Sequence, residues 1–406
     1  MSEVANVPNT PGASKIEYVL HANESGQTDI TLFTGRIDIH SDISFQGGSQ
    51  CYIQIADYEN LLEKLQFTSG DAVSFSVRYG ARSYERKYRI KRITDFVNLE
   101  NGKAYSLHLV SELEFASYSV KISRYYSGRS DQVALGIFNN YTREGHHLWE
   151  QSIANIDYIV PTLSPFKTLK TLANKSRSLH SPSSFVFYQD SHQFWSFTSL
   201  PNLKKTQKSI ETFRYFQNAD PDKNGIPDVS LVKNTIQNLK YFPAFDIQQE
   251  IESGTLKNTD YTFDLTTKSV TVTQNSYWDT YRKNSLNPRM VWKEEALDVG
   301  SKTYSVQATA SIGERRELGF PGDEVSPVEH VNFSAAQQIE INIYGNNQID
   351  IGQIVNIEIP EQSPQSGGPA KLDKVWSGAY YVVAKHDAID KSGHSMALRL
   401  TKDSFI

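Results

Sequence analysis

AYYVVAKHDAIDKSGHSMALRLT, residues 379–401, and KYRIKRITDFVNLENGKAYSLHLV, residues 87–110, are two versions of one pattern. With Asp387 set against Asp95, Tyr380 falls on Tyr88 and Val382 on Ile90. Beyond the turn, Gly393 falls on Gly102, Leu398 on Leu107 and Leu400 on Leu109. Each segment alternates apolar and polar residues with period two, as a half-buried strand does, and each pair of segments is joined through a glycine that permits a tight turn. The match extends upstream. TSGDAVSFSV (68–77) leads from Gly70 to Val73, Phe75 and Val77, and IDIGQIVNIEI (349–359) leads from Gly352 to Val355, Ile357 and Ile359 with the same spacing. Three strands in the same order make an internal duplication. The alternative is that two unrelated antiparallel meanders share this spacing.

Around these segments the rest of the chain sorts by period. Alternation runs from Thr28 to Ser111, interrupted by one short helix at DYENLLEKLQF, where Asp57 can cap and Leu61, Leu62 and Leu65 share a face. From Ser130 the signals become helical, at SDQVALGIFNNY and at SPFKTLKTLANKS. In the second, Ser164 is the cap, Pro165 takes the first position, and Phe166, Leu169 and Leu172 form a stripe. SSFVFYQDSHQFWSF then reads as a hairpin turning at Asp190 and Ser191. SLVKNTIQNLKYFP predicts a further helix capped by Ser230 and stopped by Pro243. TDYTFDLTTKSVTVTQNSYWDTY predicts strands, residues 282–330 are polar with few periodic signals, and clean alternation returns from Ile339 to Leu400. EQSPQSGGPAK (361–371) reads as a hairpin tip. The fold class is therefore β-rich α+β.

The 406 residues carry 41 Lys and Arg against 46 Asp and Glu, a net charge of −5 with a pI near 6.1. That balance argues against wrapping duplex nucleic acid, which requires clustered cations. One cysteine, Cys51, excludes an intrachain disulfide and a multi-thiolate zinc site, and in CYIQIA it reads as a small hydrophobe. The opening MSEVANVPNTPGASK lacks the basic and apolar regions of a secretory signal, and no apolar run approaches the ~20 residues of a membrane span, so membrane insertion is not expected.

Few motifs carry chemistry. Asp220, Asp222, Asn224 and Asp228 stand at positions 1, 3, 5 and 9 around Gly225 at 6, the spacing with which a loop converges hard oxygens on calcium. Position 12 is Leu231 instead of a bidentate Glu, and the alternative is a Pro/Asn/Gly surface turn that needs no ion. Calcium is the one cofactor this spacing suggests. Glu144, His147 and Glu150 in EGHHLWE have helical i, i+3 spacing, but a competent di-metal site needs a second such set, and a surface or capping role is the expectation. Trp195 and its aromatic neighbours read as core. With no nucleophile elbow, zinc-protease or phosphate-loop motif, no catalytic residue is assigned, and the chain is read as no enzyme.

The order of these features, a β-domain, then YIVPTLSPFKTLKTLA, then SSFVFYQDSHQFWSFTSL, then a β-domain ending SGAYYVVAKHDAIDKSGHSMALRLTKDS, resembles the central hub protein of contractile-phage baseplates and its relatives in type VI secretion spikes and R-type pyocins. The resemblance covers roughly 16–406 and rests on feature order; the acidic loop at 220–228 and the stretch 282–330 depart from the family pattern. It implies a homotrimer whose subunits each carry two tail-tube-like β-barrels, three chains making a pseudo-sixfold ring between a hexameric tail tube and a trimeric spike. On that basis 1–15 is an arm, 16–128 the first barrel, 129–204 an α+β insert, 205–245 plus 330–406 the second barrel, and 246–329 another insert. The implied partners are the tube protein, the spike protein, other baseplate proteins and DNA passing without specific binding through an acidic or neutral channel. The implied location is the virion baseplate, assembled in the host cytoplasm. The rival reading is a calcium-dependent β-rich carbohydrate-binding module using the 220–228 loop and exposed aromatics.

Overall fold

The computed structural model of the chain describes residues 14–24, 26–43, 48–80, 82–179, 185–206, 211–215, 234–243, 257–264, 268–276, 278, 285–291, 301–307, 337–361 and 371–406. Alternating residues of the first repeat build β1 (Ser14–Asn23), β2 (Gly26–Asp29), β3 (Thr34–Asp42), β4 (Gln50–Asp57), β5 (Ala72–Tyr79), β6 (Arg82–Leu99) and β7 (Gly102–Val110). Every second side chain points inward, so Val19, Ile37, Ile53, Phe75, Tyr88 and Leu107 meet in one core. A flat sheet cannot bring these strands into mutual contact, so the sheet is bent around them. The short helix is α1 (Leu61–Leu65). Asp57 caps it from upstream, its carboxylate accepting the Leu61 and Leu62 N–H groups at 2.8 and 3.1 Å.

The next segment contains α2 (Glu112–Ser119), β8 (Tyr125–Arg129), α3 (Ser130–Tyr141), β9 (His146–Trp149), β10 (Asn155–Ile159), α4 (Pro165–Lys175), β11 (Phe185–Gln189), β12 (Trp195–Ser199) and α5 (Leu200–Thr206). Helix α4 starts where the sequence signals it, with Pro165 in the first turn and the Ser164 hydroxyl accepting from Lys167 N–H. Phe166, Leu169 and Leu172 join Ile137, Phe138, Phe187, Trp195 and Phe197 in a separate aromatic core.

Beyond it lie β13 (Thr212–Arg214), β14 (Asn238–Tyr241), β15 (Lys257–Asp264), β16 (Ser269–Ser276), β17 (Arg289–Met290), β18 (Ser301–Gln307), β19 (Gln337–Tyr344), β20 (Ile354–Glu358), β21 (Gly378–Asp390), β22 (Gly393–Lys402) and β23 (Ser404–Phe405). The helix expected through Leu239 is corrected here: Asn238–Tyr241 is a strand, with Leu239 opposite Ile341 of β19. A ladder of backbone partners on β19 outweighs the weak helical preference of four residues. The expected hairpin at 361–371 has its base in place, Glu361 N–H donating to Lys371 C=O at 2.7 Å; residues 362–370 lie outside the described residues.

The duplication holds at the level of register. Val73 is opposite Tyr88 and Val355 opposite Tyr380. Ile90 faces Leu109, which faces Cys51; Val382 faces Leu400, which faces Ile339. Both long strands shift register immediately after Ile90 and Val382. Gly70 N–H donates to Ile90 C=O, and Gly352 N–H to Val382 C=O, each at 2.8 Å, with φ of +101° and +82° that favour glycine. Between Asp95 and Gly102 the first repeat has one residue more than the second, and a second bulge in β6, between Thr94 and Val97, absorbs it. Asp95 in that bulge has φ +58°. The flanks differ, β1 lying antiparallel on β5 where β13 lies parallel on β20.

The repeats share one sheet, ordered β14-β19-β22-β21-β3-β4-β7-β6-β5-β1-β2, with β20 on β21 and β13 on β20. The junction is the pairing of β3 with the distal half of β21, from Asp42 opposite Ala384 to Arg36 opposite Asp390. Each half has its own core, the second built from Ile339, Ile341, Val355, Tyr380, Leu398 and Leu400 among others. No helix among the described residues is long and apolar enough to cross a membrane.

Candidate functional site

Two polar constellations lie where modules meet. The first sits on the face of the shared sheet turned away from the cores. Because Ile37 and Ile39 point inward, Asp38 and His40 point outward. His40 lies directly opposite His386 across the β3–β21 junction, and their rings stack at 4.0 Å and 12°. His386 Nε2 meets the Asp38 carboxylate at 2.8 Å, and Arg36 donates to the same oxygen at 2.7 Å. One strand further, Tyr52 stacks on His108 at 4.4 Å, and Arg92 Nε lies 3.1 Å from His108 Nδ1. Burial lowers both His40 and His108 to about 4, reinforced by His386 beside the first and by Lys91 and Arg92 beside the second. A neutral His40 ring stacks on His386 without charge repulsion. An open groove of about 480 Å³ lies above the row, lined by His40, Asp42, Tyr52, Glu340 and Arg399 among others. Acidic and basic groups stand side by side on this face, Lys240 opposite Glu340 and Arg36 on Asp38.

The second constellation is buried and ties three modules together. The β11–β12 hairpin inserts its tip, Asp190 to Phe194, between the repeats. Asp350 accepts from the Ser191 N–H and hydroxyl and contacts His192 Nδ1 at 2.8 Å; His192 Nε2 lies 2.9 Å from Asn347 Oδ1. Lys385 Nζ donates to Ser191 Oγ at 3.0 Å and lies 3.1 Å from Asp387, whose other oxygen contacts His394 Nε2 at 2.8 Å. From the first repeat, Arg86 Nε donates to Ser191 C=O at 2.6 Å, and Gln193 exchanges two hydrogen bonds with the Lys87 backbone. Burial alone would raise Asp350 and Asp387. The Lys385 ammonium and the neighbouring histidines hold Asp350 well below the usual range and Asp387 at about 2. Asp190 goes the other way, pushed up to about 7 by burial and by the Asp350 charge.

Asp190, His192 and Asp350 bring three ligand-type atoms within 4.8 Å of one another. Asp190 Oδ1 accepts from the His192 and Phe194 N–H groups, Asp350 accepts from Ser191, and the Lys385 ammonium supplies positive charge beside Asp350 and Asp387. The arrangement is a bolt between modules.

The residues singled out from sequence are distributed elsewhere. Asp220, Asp222, Asn224 and Asp228 lie outside the described residues. Glu144, His147 and Glu150 share no helical face, because His146–Trp149 is a strand. Glu144 accepts from the Trp195 indole at 2.8 Å, Glu150 accepts from Ser178 and Ser199, and His147 is exposed. Cys51 is buried, and burial raises its thiol well above the usual range. Trp195 is core, not a ligand platform. Asp350, Lys385, Asp387 and His192 were missed. Lys385 and Asp387 share the inward phase of Ile389, which the bulge after Val382 offsets from the phase of Tyr380 and Val382.

Comparison with solved structures supplies the frame for this architecture. The tail protein from Neisseria meningitidis MC58 aligns over 95% of this chain and 96% of its own, at 11% identity and a TM-score of 0.56. The 43 kDa tail protein of prophage MuSo2 from Shewanella oneidensis aligns over 97% of this chain and 100% of its own, at 8% identity and a TM-score of 0.56. The fold is that of a phage tail protein. The E. coli c3393 protein, a component of the type VI secretion system, aligns over 97% of this chain and 77% of its own at 8% identity and a TM-score of 0.43. No protein-family model and no curated protein sequence matches the chain. The likeness is therefore one of fold, at 8–11% identity.

Proposed function

We propose that this chain is a structural, non-enzymatic virion protein, the central hub of a contractile-tail baseplate. Three copies form a ring that joins a hexameric tail tube to a trimeric spike and lines the channel through which DNA leaves. The observation that carries the reading is the duplication, two repeats of matched register in one sheet on a tail-protein fold. A chain with two equivalent units fills two positions of a sixfold ring, and three chains fill it while keeping the threefold symmetry a trimeric spike needs. In this reading residues 16–128 and 205–245 plus 330–406 form two tube-like barrels, and 129–204 and 246–329 are inserts facing other baseplate proteins. The buried bolt at Asp350 fixes the first insert relative to both repeats. Light scattering on the purified chain, alone and with its spike protein, tests this: a trimer in either condition supports it, and a dimer in both removes it.

A further inference from the structure

The two repeats differ in what covers their equivalent edges. The distal half of β21, Ala384–Asp390, is paired by β3. Its equivalent, Arg92–Leu99 of β6, has β7 on one side and, among the described residues, no strand on the other. There Phe96, Val97 and Leu99 are 58%, 55% and 39% exposed. The equivalent of β3 in the second repeat is β14, since Leu239 faces Ile341 as Ile37 faces Ile53. Its far side is likewise unpaired among the described residues, with Tyr241 44% exposed. The sheet thus carries, at β14 and along the part of β6 that overhangs β5, two edges whose equivalents already pair inside the chain.

We infer that a second copy of this chain occupies these edges, β14 of one copy pairing with Arg92–Leu99 of the next in the register that β3 and β21 use internally. This deepens the hub reading and rests on it only for closure of the ring. Transferring the internal pairs through the two sets of registers places Asn238 opposite Leu99, Lys240 opposite Val97 and Phe242 opposite Thr94. Tyr241 then faces the bulge at Asp95 and Phe96, covering exposed apolar surface and bringing Lys240 beside the Asp95 carboxylate. The contact is a blunted version of its template. Strand β14 has 4 residues where β3 has 9, and the extra residue in β6 kinks the edge it offers. Short strands and bulges are the devices by which sheet edges avoid indiscriminate pairing. Copies accordingly associate weakly alone and firmly only when other contacts hold them.

Directly opposed residues of antiparallel strands have Cα atoms about 4.5–5.5 Å apart, within disulfide reach. Full-length Val97→Cys and Lys240→Cys chains, mixed at high concentration under mild oxidation, trap even a transient contact. A Val97–Lys240 cross-linked heterodimer, with none from the off-register pair Arg92→Cys and Lys240→Cys, is the expected result. Absence of the in-register product, or equal yield from both pairs, overturns the inference. A trimer by light scattering that fails to cross-link in register removes this edge contact and leaves the hub; an in-register cross-link in a chain that is dimeric with and without its spike keeps the contact and removes the hub. Deleting Phe96, which restores the spacing of the second repeat, is expected to lower the concentration at half association at least tenfold. An increase or no change in a variant with native circular dichroism contradicts the blunting argument.

Discussion

Asp190 is the residue whose titration the bolt exposes. Its folded value of about 7 is above the ordinary 3.8, so the native state holds a proton that the unfolded chain releases. Stability from this group is full below 3.8 and falls as pH rises from there through about 7. Asp387, lowered to about 2, has the opposite sign, and its contribution is lost only as pH falls from 3.8 toward 2. His40 and His108, lowered to about 4, add slopes of the opposite sign between pH 4.5 and 6.5, so Asp190 is read from the difference between two proteins. Asp190→Asn keeps an oxygen for the His192 and Phe194 N–H groups and is expected to make the slope of stability against pH more positive than in the parent chain, by up to ~1.4 kcal/mol per pH unit. Urea unfolding at closely spaced pH values measures it, and parallel curves for the two proteins would reject the assignment. Lys385→Met leaves Asp387 and Asp350 buried without their cation, and a loss of about 3–5 kcal/mol is expected in the same assay. These residues were hard to find from sequence because the bulge after Val382 changes which residues of the strand point inward. Tyr380 and Val382 set a phase that Lys385 and Asp387 do not follow, so the charges read as outward.

At the scale of elements, the paired glycines invite a symmetric test. A Cβ on Gly70 meets the Phe115 ring at 2.9 Å, and one on Gly352 collides with the Tyr188 hydroxyl. Both positions have positive φ, so alanine is strained at either before any contact is counted. Gly70→Ala and Gly352→Ala are each expected to lower stability by about 1–3 kcal/mol. Gly352→Ala should also unseat the β11–β12 hairpin, increasing proteolysis around Asp190, whereas Gly70→Ala should not. Helix α4 was legible because its signals are local: a serine cap, a first-turn proline and one apolar stripe. The segments at 146–149 and 238–241 were not, because four-residue strands are decided by the partners that pair with them. His146–Trp149 lies parallel to β12, from a distant part of the chain.

For the whole molecule, the duplication was readable since equivalent residues keep type and spacing through Tyr88 and Tyr380, Leu107 and Leu398, Leu109 and Leu400. That the two repeats share a sheet was not readable. The β3–β21 junction depends on which strand finds an unpaired edge in three dimensions, and neither strand differs in composition from its equivalent in a way that marks it. Hydrogen exchange separates the two edges. In the free chain, amides of 384–390 are expected to be protected and those of 92–99 to exchange fast on the side away from β7. On assembly the second set should become protected while the first stays unchanged. Fast exchange at 384–390 in the free chain would mean that the repeats are not joined there.

The burial of Cys51 has a consequence for how this molecule is followed over time. The chain has one cysteine, held in β4 between Ile39 and Leu109 with no surface exposed. A thiol reagent added to native protein is silent until the first repeat opens, so the labelling rate is a clock for that event alone. When reclosing outpaces labelling, the rate divided by that of a free thiol gives the open population directly. Because the second repeat has Ile339 at the equivalent position, the clock does not tick when only that half loosens. A chemical difference of one side chain between two like halves makes their separate breathing measurable.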